Sequence, residues 1–501
     1  MVVIGHPRHF VSAVCCFEIC IAAETANPIT RKHQSLNWRK LTMTNRDLSQ
    51  DLAEFAANTR YVDLPLAAVE AAKKSILDTI GVILGASGME PAVRPIVELV
   101  TDAGGKEEAS ILGFGGRVPA AAAAFANGTL AHGLDYDSQT PWGAHPDSSL
   151  VPALLALAER KGSVTGKDLI TAVAIGQELF IRLRCNVGWN MDWNLSSVVG
   201  TYSGTAACGS LMGLTAEQIA HSLGISSLTA GGTMEQIFGV GSDVRGLYAG
   251  FIAQSCVNAT LLAEKGMHGM QNLFEGEAGI FNVYFGGNFD RAKMLAGLGV
   301  DYLSEGMTYK YWPAVGNAHT YIHAAIELVR ENPFDAADIA EVRVYVGNFA
   351  ERMALPLHAR QAPQTMMDAK FSLPFTVAVA LVKGSMLLSD FSIDTLKDAE
   401  VLSVASKVVP VQDAELNWDL KLPDGKVEVQ LRNGQIFTRR GSDVPGTPER
   451  PMTVEELAKK FDDCARVSVR PLPTDDIDRV TTLLWGLEEC NNLTEIIELV
   501  R

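Results

Sequence analysis

The stretch from His132 to Asp147 reads His132-Gly-Leu-Asp135-Tyr-Asp137-Ser-Gln-Thr-Pro-Trp-Gly-Ala-His145-Pro-Asp147, the densest polar cluster among the segments that could carry chemistry. Breakers and ionisable groups share one connection between two helical patterns, and such loops on rigid scaffolds often carry function. A carboxylate beside an imidazole orients the ring and makes a base that works near neutral pH, so Asp135 with His145 reads as an acid/base pair. Two histidines with two or three aspartates also make a donor set for a divalent cation. Their spacing matches no established metal motif, so the acid/base reading is preferred and no metal is expected. On the residues alone, Asp135 and Asp137 serve equally well as helix caps or turn acceptors.

A second group is Gly239-Val-Gly-Ser-Asp-Val-Arg245-Gly-Leu-Tyr248-Ala-Gly250. Its glycines let a backbone approach a ligand or another helix closely. Arg245 near a helix start is suited to a two-pronged grip on a carboxylate; the plainer alternative is a surface arginine beside a tight helix crossing. A third group runs Tyr309-Lys310-Tyr-Trp312-Pro313 and on to Asn317, His319 and His323. Lys310 lies where the pattern of the chain changes, and clefts between domains are common ligand sites. His319 and His323 share one helix face, but no glutamate follows His319 as a zinc-binding HExxH helix requires, and His323 reads as structural. Glu275, in a glycine-punctuated segment, reads first as a turn residue. No Walker loop, no GxGxxG after a strand and no GxSxG elbow occurs, so nucleotide-binding and serine-hydrolase readings lack support.

The elements that must hold these groups are mostly helices. From about Leu48 to Gly306 apolar residues recur at helical spacing: Ala67–Gly85, the alanine-rich Pro119–His132, Leu150–Arg160 with Pro152 in its first turn, Thr165–Arg182, Val198–Met212, Thr215–Ala230 and Leu247–Gly266. After Thr308 alternating runs appear at Val342–Val346, Val427–Leu431 and Gln435–Arg439. The last two flank Arg432-Asn433-Gly434, a type I′ hairpin signal. Helical runs at 318–330 and 371–383 lie among them. A breaker-rich linker at 444–451 precedes two more helical patterns, 453–464 and 475–486. The expected architecture is therefore mainly α: a helical domain from 43–307, a smaller α+β domain at 308–446, and C-terminal helices at 447–501 that pack back on the first domain.

The chain has 501 residues, long enough for two domains, and a formal net charge of −16. So acidic a chain is a poor candidate for nucleic acid or an anionic membrane, and an anionic substrate must be drawn by a local basic pocket. Its eight cysteines are scattered without a CxxC pair, which argues for free thiols in a reducing compartment. Residues 1–42 carry the apolar run Phe10–Ala23, interrupted by Glu18. They read as a mis-assigned or disordered extension ahead of Met43, with a transit peptide as the second reading. A cytoplasmic protein is expected, or a mitochondrial matrix protein if that extension is a genuine transit peptide.

Taken in order, the motifs resemble one family. Ala126-Asn-Gly-Thr-Leu-Ala-His-Gly-Leu-Asp135-Tyr-Asp137 with His145-Pro, then Gly204-Thr-Ala-Ala-Cys-Gly-Ser-Leu-Met-Gly-Leu214, are similar to the MmgE/PrpD signature. So are Leu247-Tyr-Ala-Gly250 through Glu275-Gly-Glu-Ala-Gly279, Tyr309-Lys310-Tyr-Trp-Pro313 with His319, and Asp368-Ala-Lys370-Phe-Ser-Leu-Pro374. The resemblance implies a large helical domain with a smaller lid domain inserted before the C-terminal helices, a homodimer, and no metal or organic cofactor. It implies catalytic roles for Asp135, His145 and Lys310, and substrate binding by Asn194, Arg245, Tyr248, His319 and Lys370. His145, steered by Asp135, would move a proton next to a carboxylate, while Lys310 and Arg245 would hold substrate carboxylates. Three positions depart from the family pattern: Asn194 stands where a histidine is usual, Arg245 where a lysine is usual, and Val315 where many members place a cysteine. The expected activity is that of a carbon–oxygen lyase on a small di- or tricarboxylic acid, 2-methylcitrate dehydratase-like. An epimerase or a cis-aconitate-type decarboxylase of the same family is the first alternative, and a non-catalytic carboxylate-binding protein the second.

Overall fold

Alanine- and glycine-rich helices with few aromatic side chains can approach one another closely, and the larger part of this molecule is built that way. The computed structural model describes residues 46–419 and 422–501; the expectations for residues 1–42 and for Cys15, Cys16 and Cys20 lie outside them. The helices are α1 (Leu48–Asn58), α2 (Leu66–Met89), α3 (Arg94–Ala103), α4 (Ala120–Gly133), α5 (Asp147–Lys161), α6 (Gly166–Cys185), α7 (Leu195–Met212), α8 (Ala216–Ser226), the short α9 (Glu235–Phe238) and α10 (Tyr248–Glu264). A two-stranded ribbon of β1 (Ala109–Ser110) and β2 (Arg117–Val118) lies between α3 and α4.

Local chemistry sets several boundaries. Thr165 and Asp168 form a reciprocal capping box on α6, and the Asn194 side chain accepts from the Ser196 N–H to cap α7. Gly162 ends α5 in the left-handed conformation. That helix begins at Asp147, three residues before the expected start, so Pro152 lies inside it and not in its first turn.

Two glycines bring α4 and α10 together. A Cβ on Gly250 would lie 2.2 Å from Thr129 Oγ1 and 2.4 Å from the Phe125 carbonyl oxygen. A Cβ on Gly128 would lie 2.9 Å from both the Ala249 carbonyl oxygen and the Gly250 Cα. The helices therefore touch backbone to backbone, which sets the end of α4 beside the start of α10.

Short helices α11 (Ile280–Phe285) and α12 (Arg291–Leu295) lead to the second part of the chain. There α13 (His319–Glu331), the short α14 (Ala350–Ala354), α15 (Leu357–Gln361) and α16 (Met366–Lys370), then α17 (Leu373–Lys383) and α18 (Ala399–Ala405), accompany a four-stranded sheet. Its strands are β3 (Ile339–Val346), β4 (Val408–Gln412), β5 (Gly425–Leu431) and β6 (Ile436–Gly441), in the order β4-β3-β5-β6. β3 pairs parallel with β4 and antiparallel with β5, and β5 pairs antiparallel with β6. β3 and β5 alternate, with Val342, Val344 and Val346 buried beside Val427 and Val429, and α13 covers β5 and β6.

The hairpin differs from the expected one in its turn. Leu431 N–H donates to the Gln435 carbonyl and Gly434 N–H to the Leu431 carbonyl, and of the loop residues Gly434 takes a positive φ (+88°). This is a three-residue loop in which Gly434 alone takes the left-handed position, not a type I′ turn, which needs positive φ at two central residues.

The molecule is mainly α with this one larger sheet. One apolar core draws on residues from Leu48 to Tyr309 and again from Met452 to Val500, with Leu388; a second draws on residues from Trp312 to Val444. The last helices, α19 (Val454–Arg466), α20 (Thr474–Trp485) and α21 (Thr494–Val500), thus belong to the first core. α19 lies along α2, where Gly81 and Gly85 face Phe461 and Cys464. Among the described residues no single helix is long and apolar enough to cross a membrane.

Candidate active site

α4 ends on His132 and Gly133, and Asp135 then turns the chain with φ +49°, a left-handed conformation that aspartate tolerates better than most residues. The turn drives Asp137 back under the helix end. His132 Nδ1 lies 2.9 and 3.0 Å from the two Asp137 carboxylate oxygens, and His145 Nδ1 lies 3.2 Å from Asp137 Oδ2. His145 Nδ1 also donates to the Ser138 carbonyl at 2.9 Å. The expected partner of His145 was Asp135; the structure places Asp137 there instead and gives Asp135 to Lys310.

Asp137 is fully buried. Burial alone would raise its carboxyl, but the two imidazoles outweigh it and hold the group well below the usual carboxylate range. An ionised Asp137 accepts from both rings, and a carbonyl oxygen can only accept. Each Nδ1 therefore carries a proton, and Nε2 is the atom through which either ring gains or loses one. The rings meet edge to face, 4.9 Å between centroids, and the Tyr248 ring lies 4.6 Å from His132. The backbone N–H of His145 donates to Ser196 Oγ, which ties the loop to the start of α7.

Lys310 Nζ donates to both the carbonyl oxygen and Oδ1 of Asp135, each at 2.8 Å, with both side chains buried. The two segments are clipped by an antiparallel bridge between Gln139 and Thr308. From α19, Lys460 Nζ donates to the carbonyls of Tyr136 and Lys310 and pairs with Asp78 at 2.7 Å. Below the loop, the Asp147 carboxylate accepts from Ser138 Oγ (2.5 Å) and Gln177 Nε2 (2.9 Å), and burial pushes it up to about 6.

His132, Asp135 and His145 open onto a cleft of ≈ 670 Å³, its open mouth included. Gln139, Trp142, Arg184, Trp189, Asn194, Ser196 and Tyr248 line it from the helical part, and Val315, Asn317, Phe349, Phe371 and Trp418 from the α+β part. Of the residues expected to bind substrate, Asn194 and Tyr248 are therefore on the wall. The other three are not. Arg245 is buried behind Phe371, its guanidinium 4.4 Å from that ring and 3.8 Å from Asp368. His319 Nε2 donates to the Ala314 carbonyl at 3.2 Å, and burial, helped by Lys310, brings its imidazole down to about 3, so it is neutral. Lys370 pairs with Glu90 at 3.0 Å and donates to the Gly133 carbonyl. Lys310, expected to hold a substrate carboxylate, likewise stands behind Asp135. Glu275 accepts from the Leu48 N–H and pairs with Arg291, away from the cleft.

Sequence reading passed over three residues: His132 and Asp137, seen only as members of the loop, and Arg184. An arginine in the last turn of a helix is ordinary, because cations there complement the helix dipole, so Arg184 carried no signal.

Among the described residues, His132, Asp137 and His145 also form a set of potential ligating atoms that lie close enough for one cation, all within 4.8 Å. The donor chemistry fits poorly. Both Nδ1 atoms are engaged as N–H donors, one of them to a carbonyl, and a metal on those atoms would displace the hydrogen bonds that orient the rings.

Two family profiles match the chain. The MmgE/PrpD N-terminal domain matches residues 50–292 and the MmgE/PrpD C-terminal domain residues 312–481. Among curated proteins the chain is 27% identical over 479 residues to the cis-aconitate decarboxylase of Aspergillus terreus, covering 90% of this chain and 96% of that one. It is 25% identical over 396 residues to the cis-aconitate decarboxylase of Homo sapiens, covering 76% and 80%. It is 21% identical over 418 residues to the 2-methylcitrate dehydratase of Salmonella typhimurium, covering 77% and 83%.

Proposed function

This chain belongs to the MmgE/PrpD family, and from that premise we propose that it is a lyase that removes a proton next to a carboxylate of a small di- or tricarboxylic acid and expels water to form an alkene. The observation that carries the reading is the buried Asp137 that serves both His132 and His145 at the floor of a cleft. His145, the more exposed of the two rings, takes the proton at Nε2, and the Asp137 carboxylate stabilises the imidazolium that results. His132 is the second ring on the same carboxylate; entering the step as the imidazolium, it gives its Nε2 proton to the departing hydroxyl, which leaves as water. Lys310 balances the charge of Asp135 on the cleft wall, so that this carboxylate does not repel an anionic substrate. Asn194 and the Tyr248 hydroxyl orient the substrate oxygens, and the α+β part closes the cleft against water. The protein acts as a homodimer without a metal or organic cofactor.

The paired imidazoles also favour a second reading, an epimerase, in which one ring removes a proton and the other returns one. Incubation of the purified protein with small polycarboxylates in D₂O, followed by proton NMR, separates the two. New alkene signals identify the lyase, and deuterium incorporation with loss of stereochemistry identifies the epimerase. Neither signal survives in His145→Ala if His145 is the base; full turnover in that variant would remove the assignment. Dialysis against EDTA leaves the rate unchanged if the histidines act as bases and not as ligands.

A further inference from the structure

Arg184 takes no part in the chemistry above, yet its side chain lies on the cleft wall and is buried. One of its nitrogens, Nη2, donates to the Trp142 carbonyl at 2.9 Å, and the guanidinium carbon lies 4.9 Å from the Trp189 ring centroid. Nε and Nη1 have no hydrogen-bond partner among the described residues. Burial brings the group down to about 10, which leaves it a cation at neutral pH. Charged donors held away from water are normally completed by an acceptor. Among the described residues of this wall, Asp135 is already paired with Lys310, and Arg184 is a cation with no carboxylate beside it.

A second unpartnered donor lies on the same wall. Asn194 spends its carbonyl oxygen on the Ser196 N–H, so its amide orientation is set, and Nδ2 faces the Tyr248 hydroxyl on the same wall without a closed hydrogen bond. Behind it, α7 points its N-terminus, with Leu195 and Ser196, at the cleft. The partial positive charge of an 18-residue helix end favours an anion there.

We propose that Arg184, Asn194 and the start of α7 form an anion subsite that takes a second carboxylate of the substrate, remote from the one beside the C–H bond that His145 ionises. The inference rests on the polycarboxylate reading above and sharpens it. A monocarboxylic acid would leave Arg184 unpaired in the closed cleft and would be rejected; an acid with two or more carboxylates completes it. The fork of the guanidinium sets geometry as well as charge, so lysine does not replace it.

The test is calorimetric titration of the full-length protein with tricarballylate, a tricarboxylate that has no hydroxyl to lose. Arg184→Leu should weaken binding by about 30-fold or more, and Arg184→Lys should recover only part of it. Asn194→Asp keeps the helix cap, because aspartate caps as well as asparagine. It sets a carboxylate beside the subsite and should weaken binding as much. Thermal melts confirm that each variant is folded. If wild type binds and folded Arg184→Leu binds within about threefold of it, the subsite is wrong and the polycarboxylate reading stands. If Arg184→Leu does not fold, Asn194→Asp decides: binding within threefold of wild type overturns the subsite. If wild type itself binds no tricarballylate, the polycarboxylate reading fails, and the subsite fails with it.

Discussion

Asp137 is a buried carboxylate that serves two imidazoles at once, and its charge keeps Nδ1 of both rings protonated. Asp137→Asn keeps the shape but removes the charge that stabilises an imidazolium on either ring. Turnover should fall by about 10²–10⁴-fold, the usual worth of a positioned acid/base group, with the fold retained by circular dichroism. The two buried aspartates of this loop also differ in sign. The Asp137 carboxyl is depressed, so its contribution to stability is present above about pH 4 and is lost as the pH falls through its folded value. The Asp147 carboxyl is raised from 3.8 to about 6, so its contribution is full below about pH 4 and is lost as the pH rises through 6. That shift corresponds to roughly 3 kcal/mol. Asp147→Asn removes the titration: in urea unfolding, its stability relative to wild type should rise by about that amount between pH 4 and pH 7.5. A difference that does not change with pH would show that this carboxyl is not raised. The loop was legible in the sequence as a catalytic candidate, but the choice between Asp135 and Asp137 was not. The two differ only by which one follows the left-handed turn, and that turn is held by Lys310 from a distant segment.

At the scale of elements, the position of His132 is set by the contact between α4 and α10. Gly250→Ala would drive a methyl group into Thr129 Oγ1 and the Phe125 carbonyl, and that carbonyl is helix backbone that yields only if α4 moves. Overpacking of this kind costs about 1–3 kcal/mol. Because α4 must shift, the variant should lose activity as well as melting temperature, although residue 250 is not on the cleft wall. A lowered melting temperature with full turnover would show that the crossing does not position the site. The helices and their caps were legible because they rest on local signals, such as Thr165 with Asp168 and the periodicity of α2. β4 was not read: it is a short strand with Pro410 in it, and among the described residues it pairs with the parallel β3 alone, far away in sequence. For the same reason His319 and Lys370 were misplaced. Both lie in motifs of the right type, but Ala314 and Glu90 draw their side chains away from the cleft, and only tertiary packing shows that.

At the scale of the whole molecule, the chain leaves the first core near residue 309, builds a second, and returns at about 452. The return matters because α19 brings Lys460 into the first core. There one ammonium group joins the Asp78 carboxylate of α2, the Tyr136 carbonyl of the histidine loop and the Lys310 carbonyl at the start of the α+β part. It also lies 3.7 Å from the centre of the Tyr136 ring. Burial raises the Asp78 carboxyl and Lys460 opposes that shift, so removal of the lysine leaves an acid that must either stay charged without a partner or take up a proton. Lys460→Met should therefore destabilise the protein by about 3–5 kcal/mol. Lys460→Met with Asp78→Asn should regain most of that, since no unpaired charge remains. Turnover separates the two roles of the lysine. If Lys460 serves only to neutralise Asp78, the double variant regains activity along with stability. If it also anchors the two carbonyls that carry Asp135, Asp137 and Lys310 into register, the double variant is stable yet still slow. The second outcome is the one the three contacts of Lys460 predict, because methionine offers no donor to either carbonyl.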